Sequence, residues 1–383
     1  MGTDISDFGT SAALSGNGNI VAVTSFIAHW LAHVRVYRSI EDGSSWEQIG
    51  QDIIINEEGR YMDGGLRVDL SAEGTILAIT VPGIIDSDPG YARVYSFVDD
   101  EEDGDDAKWV QIGQDIREDE GSAGSVGFSM SLAADGKTLA LQYDTGIMPS
   151  YVTIYQMENH AGLKNWTRLG QDLPSPNSGW DYGYGLALSA DGRMVAIGGY
   201  THASVYYYDS NTTLSWVQRG QDISHDNSLF GSVSLSGDGN ILAVALNAFD
   251  ESYSRPPYVG VYAFEKDESM SIWNQIGNDI NGTVAGTKFG QSLCLSEDGK
   301  TLAIGDSGAS GTAPESGVVS VYYFENEDAS WFPLGNDISG EESYEYSGSA
   351  LSLSADGRTI AITAYDVGFI HDGKEVNVFS IEY

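Results

Sequence analysis

The hydrophobic positions of the chain alternate with polar ones over most of its length, which is the pattern of β-strands. Apolar and small polar residues alternate before a recurring turn, as in Phe128–Leu132, and indicate a strand with one buried face. A run such as Thr301–Ile304 follows the turn without alternation, so it predicts a strand buried on both faces. A third run, such as Val318–Tyr322, comes after a variable loop. No stretch shows the apolar period of a helix with caps, so we expect almost no helix.

Two sequence motifs recur in alternation along the whole chain. The motif L-S-x-D-G, or a near relative, occurs seven times, at Leu14–Gly18, Leu70–Gly74, Leu132–Gly136, Leu188–Gly192, Leu235–Gly239, Leu295–Gly299 and Leu353–Gly357. The motif W-x-x-x-G-x-D-[I/L] occurs six times, starting at Trp46, Trp109, Trp166, Trp216, Trp273 and Trp331. Its last four positions also open the chain as Gly2–Ile5. The first motif supplies a tight turn and the second a fourth strand, so each unit has four strands.

Seven units of four strands predict a single all-β domain over residues 1–383, a seven-bladed β-propeller with four antiparallel strands per blade. The last unit lacks its tryptophan strand, and the first five residues carry the end of that strand. We therefore expect the N-terminal strand to complete the C-terminal blade and close the ring. The predicted blades lie near residues 6–53, 54–116, 117–173, 174–223, 224–280, 281–338, and 339–383 with 1–5.

The phrases Trp273–Ile280 and Phe289–Leu293 resemble repeats of large surface proteins of marine microbes, which are grouped with the integrin-α-type FG-GAP propellers. The resemblance covers the whole chain. It implies the propeller fold and a role in adhesion or recognition at a cell surface.

The calcium loop of the FG-GAP family needs oxygen ligands at its first, third, fifth and ninth positions. The fifth position is often acidic here, at Asp135, Asp191, Asp238, Asp298 and Asp356. The ninth position is aliphatic in every copy, at Val21, Leu77, Leu139, Val195, Leu242, Leu302 and Ile360. We therefore expect plain hairpin turns, with no metal and no cofactor.

The charge balance restricts the partners. The chain has 18 basic and 56 acidic residues, so its net charge of −38 repels nucleic acids and anionic lipid surfaces. It has no hydrophobic stretch for membrane insertion, and its single cysteine, Cys294, excludes an internal disulfide. Acidity, scarce cysteine and the resemblance together favour an extracellular or cell-surface location, with a cytoplasmic location as the alternative. We expect the isolated domain to be a monomer.

The residues outside the two motifs form the candidate ligand-binding face. In a propeller, the loops from second to third strands and those between blades emerge at the same end of the channel, where aromatic residues are frequent in this chain. Two tryptophans, Trp30 and Trp180, lie outside the motif. The predicted face consists of His29, Trp30, Tyr91, Tyr143, Trp180, Tyr200, His202, Tyr253, Tyr344, Tyr365 and His371. The recurring aspartates of the tryptophan motif, Asp52 among them, are expected to bond neighbouring backbone groups.

Two functions fit these observations. The favoured one is non-catalytic: a recognition or adhesion propeller that binds a glycan or a protein partner through aromatic and acidic loops. The alternative is a hydrolase or lyase that acts on polysaccharide with carboxylates at the channel mouth. An enzyme of that kind needs a deep pocket, two suitably spaced carboxyl groups and a raised pKa on one of them.

Overall fold

The chain folds into a seven-bladed β-propeller, as the repeats predict. Each of the seven sheets has four antiparallel strands, and five sheets also include a short continuation of the fourth strand. The described residues contain no helix. This computed structural model describes residues 3–5, 11–28, 31–40, 45–56, 66–84, 88–99, 107–118, 125–144, 150–174, 185–199, 202–224, 228–248, 256–266, 271–284, 287–364 and 376–382.

The inner two strands of each blade surround the axis of the ring. The innermost strands are β2 (Ala12–Leu14), β7 (Arg67–Leu70), β11 (Ser125–Leu132), β16 (Gly185–Leu188), β21 (Ser228–Leu235), β26 (Ser292–Leu295) and β31 (Ala350–Leu353). The second strands are β3 (Ile20–Ala28), β8 (Ile76–Ile84), β12 (Thr138–Asp144), β17 (Met194–Gly198), β22 (Ile241–Ala248), β27 (Thr301–Asp306) and β32 (Thr359–Thr363). All residues of β12 and β27 are buried, because sheets pack against both of their faces.

The outer two strands carry the tryptophan motif. The third strands are β4 (Leu31–Ile40), β9 (Asp88–Val98), β13 (Tyr151–His160), β18 (His202–Asp209), β23 (Tyr258–Lys266), β28 (Val318–Glu325) and β33 (Val376–Ser380). The fourth strands are β5 (Ser45–Gln48), β10 (Lys108–Gln111), β14 (Leu163–Arg168), β19 (Ser215–Gln218), β24 (Ser271–Gln275) and β29 (Ser330–Pro333). Their continuations are β6 (Ile53–Asn56), β15 (Leu173–Pro174), β20 (Ile223–Ser224), β25 (Ile280–Asn281) and β30 (Ile338–Ser339).

The N-terminal strand completes the seventh blade. Strand β1 (Thr3–Ile5) pairs antiparallel with β33, with Thr3 opposite Val378 and Ile5 opposite Val376. The continuations have the same register: Ile53 in β6 lies opposite Val34 at the start of β4. The predicted closure of the ring by the N-terminus is therefore confirmed.

A glutamine of the tryptophan motif joins each of the first four blades to the next one. The Gln221 side chain donates to the Trp273 carbonyl at 2.8 Å and accepts the Trp273 N–H at 2.9 Å. The side-chain amide of Gln221 thus makes the two hydrogen bonds that a backbone peptide group of a neighbouring strand would make. The motif glycine makes room for the same ring: a Cβ on Gly220 would lie 2.8 Å from Trp273 Cδ1. We call each such glutamine–tryptophan contact a clamp; the others are Gln51–Trp109, Gln114–Trp166 and Gln171–Trp216.

The aspartates of the tryptophan motif bond mainly to side chains, so the expectation of backbone partners is wrong for them. Asp115 accepts two hydrogen bonds from Arg93, at 2.7 and 3.0 Å, and one from Gln111 at 3.0 Å. These hydrogen bonds, led by that from Arg93, lower the pKa of Asp115 to about 2. Asp222 accepts 2.6 Å bonds from Ser204 and Gln218. A bond of this kind to a third-strand side chain of the same blade is made by Asp52, Asp115, Asp172, Asp222 and Asp337.

The L-S-x-D-G segments form hairpin turns, as expected. In the fourth copy, the Ser189 hydroxyl donates to the Asp191 carboxylate at 2.7 Å and accepts the Met194 N–H at 3.0 Å. Asp191 also accepts the Arg193 N–H at 3.0 Å. Both side chains of the motif are thus occupied in stabilising the turn.

The middle residues of these turns form a ring of hydrogen bonds at one end of the channel, which we call the floor. At six blade junctions the N–H of one middle residue donates to the carbonyl of the next, at 2.8–2.9 Å. The donor–acceptor pairs are Gly16–Ala72, Ala72–Ala134, Ala190–Gly237, Gly237–Glu297, Glu297–Ala355 and Ala355–Gly16. All six bonds run in the same direction around the axis.

Candidate functional site

The innermost strands enclose a central cavity of about 880 Å³. It extends from the floor to the opposite end of the channel, which we call the mouth. Small residues line most of the wall, and the hydroxyl-bearing residues among those that line the cavity are Ser11, Ser129, Ser131, Ser232, Ser234, Thr287, Ser292, Ser349, Ser352 and Ser354.

Asp69 is a carboxylate within this wall. Its two oxygens accept the N–H groups of Leu70 at 2.9 Å and of Leu132, in the next blade, at 2.7 Å. Burial raises the pKa of Asp69 to about 6. Serines take this place in other blades: Ser234 Oγ accepts the Leu295 N–H at 2.9 Å. Asp69 therefore acts as a bond between blades.

The described lining residues offer no pair of free carboxyl groups. Asp69 uses both oxygens on backbone amides, and the other lining carboxylate, Glu297, lies in a turn at the floor. The cavity therefore has the depth and the raised pKa expected of an enzyme, without the second carboxyl group beside the first that glycoside cleavage requires.

Two loops at the mouth, one within the sixth blade and one between the sixth and seventh blades, are paired with each other. They pair through backbone bonds: the Tyr344 N–H donates to the Pro314 carbonyl at 2.9 Å, and the Ser347 N–H donates to the Ser316 carbonyl at 2.9 Å. Gly317 and Ser347 also form an isolated parallel bridge. These contacts join segment 307–317, between the second and third strands, to segment 340–349, between blades.

Three non-glycine residues of these loops have left-handed backbone conformations. The φ angles are 49° at Glu315, 65° at Tyr344 and 52° at Tyr346. Such conformations are unfavourable for residues with a side chain and persist where surrounding contacts impose them, often at binding sites. The pairing of the two loops supplies those contacts.

The side chains of these loops form a tyrosine platform, defined as Tyr344, Tyr346, Glu315 and Lys288. The Tyr344 and Tyr346 rings lie 6.5 Å apart, and the Tyr346 hydroxyl donates to the Glu315 carboxylate at 2.9 Å. The Lys288 ammonium lies 5.6 Å from the centre of the Tyr346 ring, and Lys288 also lines the cavity. Tyr344 is 53% exposed. The platform thus joins an exposed aromatic surface to the mouth of the channel.

Three of the residues predicted for the binding face are buried in strands. Tyr91 in β9 is 1% exposed and lies under Arg93 and Arg117, whose guanidinium carbons are 4.3 and 4.6 Å from its ring centre. Tyr143 in β12 is fully buried and its hydroxyl lies 2.6 Å from that of Tyr155. His202 begins β18 and is 6% exposed.

The placement of these three residues in exposed loops was wrong, because the strands extend further toward the mouth than the sequence pattern indicates. Their aromatic rings pack between blades and cannot contact a ligand at the surface. Tyr344 is exposed in the predicted loop. The other predicted residues lie outside the described part of the chain: His29, Trp30, Trp180, Tyr200, Tyr253, Tyr365 and His371.

Lys288 in the platform and Arg67 in the cavity wall are functional candidates that were not predicted from the sequence. Arg67 had a usable signal, since the equivalent position holds serine, glycine or alanine in the other six blades. Lys288 had none, because its approach to Tyr346 depends on how loops from two blades meet.

The described residues also bear on metal binding and membrane insertion. They include no group of three or more histidine, cysteine, aspartate or glutamate side chains that is placed to hold a metal ion. They also include no helix with the length and apolarity needed to span a membrane.

No family model and no curated protein sequence matches the chain. Among solved structures, it is similar to a protein from Lactobacillus plantarum, with 14% identity over 87% of this chain and 86% of that one and a TM-score of 0.58. It is also similar to the periplasmic gluconolactonase PpgL of Pseudomonas aeruginosa, with 15% identity, coverage of 87% and 86%, and a TM-score of 0.55.

A third similar structure is Sqt1 of Chaetomium thermophilum bound to the N-terminus of ribosomal protein L10, with 14% identity, coverage of 98% and 90%, and a TM-score of 0.56. Sequence identities this low show a shared propeller fold. Function must be argued from the residues of this chain.

Proposed function

We propose that the chain is a recognition propeller, a monomer that binds a glycan or a protein partner at the mouth of its channel. The observation that carries this proposal is the tyrosine platform. Tyr344 exposes an aromatic ring on a backbone that two paired loops hold in a strained conformation. A rigid exposed tyrosine offers apolar area and a hydroxyl group with little loss of side-chain entropy on binding, which suits both sugar rings and protein surfaces.

A propeller of similar fold supports the possibility of a protein partner in this proposal. The Sqt1 structure contains a bound ribosomal protein segment, so one protein of this fold binds a peptide partner. The resemblance to FG-GAP surface proteins, together with the acidity and scarce cysteine, supports adhesion at a cell surface as the setting. Labelling of intact cells of the source organism with antibodies against the domain tests that location.

One observation favours a hydrolase as the second candidate function. The pKa of Asp69 is about 6 in a deep cavity, and a gluconolactonase shares the fold. The two backbone N–H groups bound by Asp69 weaken this alternative, because a general acid or base must be free to contact substrate. Hydrolysis of lactones or polysaccharides that disappears in Asp69→Asn would support the enzyme and contradict recognition as the main role.

The test of recognition uses Tyr344→Ala with Tyr207→Ala as a matched control. Tyr207 is also an exposed tyrosine, 38% accessible, but lies on β18 away from the platform. Ligands from a glycan array and purified protein partners should bind Tyr344→Ala at least about tenfold more weakly than the parent. Tyr207→Ala should bind like the parent. Equal affinity of all three proteins for every ligand found would contradict the proposal.

The sequence adds Trp30 and Trp180 as further candidates for the same face. Trp30→Ala and Trp180→Ala should weaken ligand binding and leave the melting temperature nearly unchanged, because neither tryptophan belongs to the repeated motif. If either variant unfolds as a motif variant such as Trp273→Ala does, that residue belongs to the core.

A further inference from the structure

Arg67 is a long cationic side chain in a position where the other blades have small residues. It lies three residues before the leucine of the turn motif, in β7, and lines the central cavity. The equivalent residues are Ser11, Ser129, Gly185, Ser232, Ser292 and Ala350. At this position the second blade therefore presents a guanidinium group to the channel, whereas the other six blades present a hydroxyl group, a methyl group or no side chain.

No described side chain or backbone oxygen bonds to Arg67. Other arginines of the third strands are paired, as Arg35 is with Asp52 at 3.0 Å and Arg93 with Asp115 at 2.7 Å. Asp69, two residues from Arg67, directs both oxygens to backbone amides instead. Arg67 is partly buried in the channel wall, and this burial lowers the pKa of its guanidinium group. A desolvated and unpaired cation is costly unless a counter-charge reaches it.

The cavity divides into a cationic half and an anionic half. The residues three positions before the turn leucine lie toward the mouth, where Arg67 and Lys288 supply positive charge and Ser129 and Ser232 supply hydroxyl groups. The lining carboxylates, Asp69 and Glu297, lie toward the floor. This local positive region is notable in a chain of net charge −38, whose general field repels anions.

We propose that the mouth half of the cavity binds an oxyanion, the carboxylate or sulfate group of an acidic ligand, with Arg67 as its counter-charge. A guanidinium presents parallel N–H donors that match two oxygens of such a group, and serine hydroxyls complete the hydrogen bonds. Lys288 lies on the path from the tyrosine platform into the cavity. This inference rests on the proposed function and specifies its ligand: an acidic sugar whose ring lies on the platform and whose charged group enters the channel.

The experiment measures melting temperature and calorimetric binding with sodium glucuronate and with sodium sulfate. Glucose is the neutral match for glucuronate, and sodium chloride at equal ionic strength controls for screening of the net charge. We expect glucuronate or sulfate to raise the melting temperature by about 1–3 °C over chloride at saturating concentration, and glucose to raise it by less. A rise in melting temperature with glucuronate but not with sulfate indicates a carboxylate site, and a rise with sulfate but not with glucuronate indicates a sulfate site.

Arg67→Gln should lose this response and bind the anion at least about tenfold more weakly. Arg193→Gln is the matched control, because Arg193 is exposed and bonds Ser210 at 3.2 Å on the outside of the fourth blade. Without ligand, Arg67→Gln should melt no lower than the parent, because it removes a partly buried charge that has no partner among the described residues. An anion response that persists in Arg67→Gln, or that is absent in the parent, would overturn the proposal.

The same variants separate this inference from the proposed function. If Tyr344→Ala abolishes partner binding while Arg67→Gln leaves it intact, recognition at the platform stands and the acidic ligand is wrong. If Arg67→Gln loses glucuronate or sulfate binding while Tyr344→Ala leaves partner binding unchanged, the oxyanion site stands and the platform is not the recognition surface.

Discussion

The outer contacts between the fourth and fifth blades differ from those between the sixth and seventh. At the first junction, Gln221 bonds the Trp273 backbone twice, and the Trp273 indole donates to the Arg219 carbonyl at 2.7 Å. At the second, Gly335 has the same positive φ as the other motif glycines, yet no described atom lies within 4 Å of a Cβ built on it. The fourth strand of the seventh blade is β1, which has no tryptophan to fill that place.

The inner contacts of the seventh blade, in contrast, resemble those elsewhere, as its junction with the first blade shows. The Leu14 N–H donates to Ser352 Oγ at 2.8 Å, as the Leu295 N–H does to Ser234 Oγ in the fifth and sixth blades. The floor bond between Ala355 and Gly16 is also present, at 2.8 Å. The inner contacts are therefore similar at these junctions, while the outer contacts are extensive at clamped junctions and sparse between the sixth and seventh blades.

The largest expected effect is loss of a clamped tryptophan. Trp273→Ala should reduce the free energy of unfolding by about 3–5 kcal/mol, because it leaves a large cavity between the fourth and fifth blades and removes the indole hydrogen bond. Denaturant titration monitored by circular dichroism measures this loss. A loss below about 1 kcal/mol would show that the clamp does not hold the blades together.

Removal of the closing strand comes next. Deletion of residues 1–5 should lower the free energy of unfolding by about 2–3 kcal/mol, because it breaks the pairing of β1 with β33 and exposes a strand edge. Thermal melts with a matched deletion of Glu382 and Tyr383 provide the comparison. If both truncated proteins melt like the parent, closure by the N-terminal strand contributes nothing measurable.

Replacement of Asp69 by serine, which occupies the equivalent position in other blades, tests how this buried carboxylate affects the contact between the second and third blades. The folded pKa of Asp69, about 6, exceeds the ordinary value of 3.8. Ionisation of Asp69 therefore lowers the free energy of unfolding. This loss is absent below about pH 4, grows between about pH 4 and 6, and is complete above about pH 6. Asp69→Ser should exceed the parent in stability by about 2 kcal/mol at pH 8, and the difference should shrink as the pH falls to 4. Paired denaturant titrations across this range would contradict the assignment if the difference is independent of pH.

The smallest effects compare one residue at the two junctions. Gln221→Ala should cost about 1–2 kcal/mol, because it removes both hydrogen bonds to the Trp273 backbone. Asn336 occupies the corresponding motif position between the sixth and seventh blades, where there is no tryptophan backbone to bond. Asn336→Ala should change stability by less than about 0.5 kcal/mol. Equal losses in the two variants would show that the amide stabilises its own turn and not the blade junction.

The number of blades, the order of strands and the closure of the ring could be predicted because they depend on local repeats. Each copy of the L-S-x-D-G motif, such as Leu353–Gly357, forms its turn from its own residues. Gly2–Ile5 could be identified as the end of a fourth strand because it repeats the last four positions of the tryptophan motif. The partners of Asp115 could not be predicted, because Arg93 lies on another strand and reaches it only through the register of the sheet.

The binding face was predicted less well for the same reason. Tyr91 and Tyr143 are aromatic residues near the ends of runs, and only strand length decides whether such a residue packs between sheets or faces solvent. Tyr344 could be identified because no strand pattern surrounds it. Arg67 required comparison of equivalent positions between blades, which the alternation of polar and apolar residues does not reveal.

The ring of floor hydrogen bonds has a topological consequence. Six of the seven blade junctions carry such a bond, and the one from Ala355 to Gly16 joins the last blade to the first, so the floor bonds do not mark where the chain begins or ends. Antiparallel pairing also places Thr3 beside Val378, so the first and last strands of the chain are neighbours. The chain therefore meets the structural requirements for circular permutation: a short linker between the present ends and new ends in a loop at the mouth would preserve every bond of the floor.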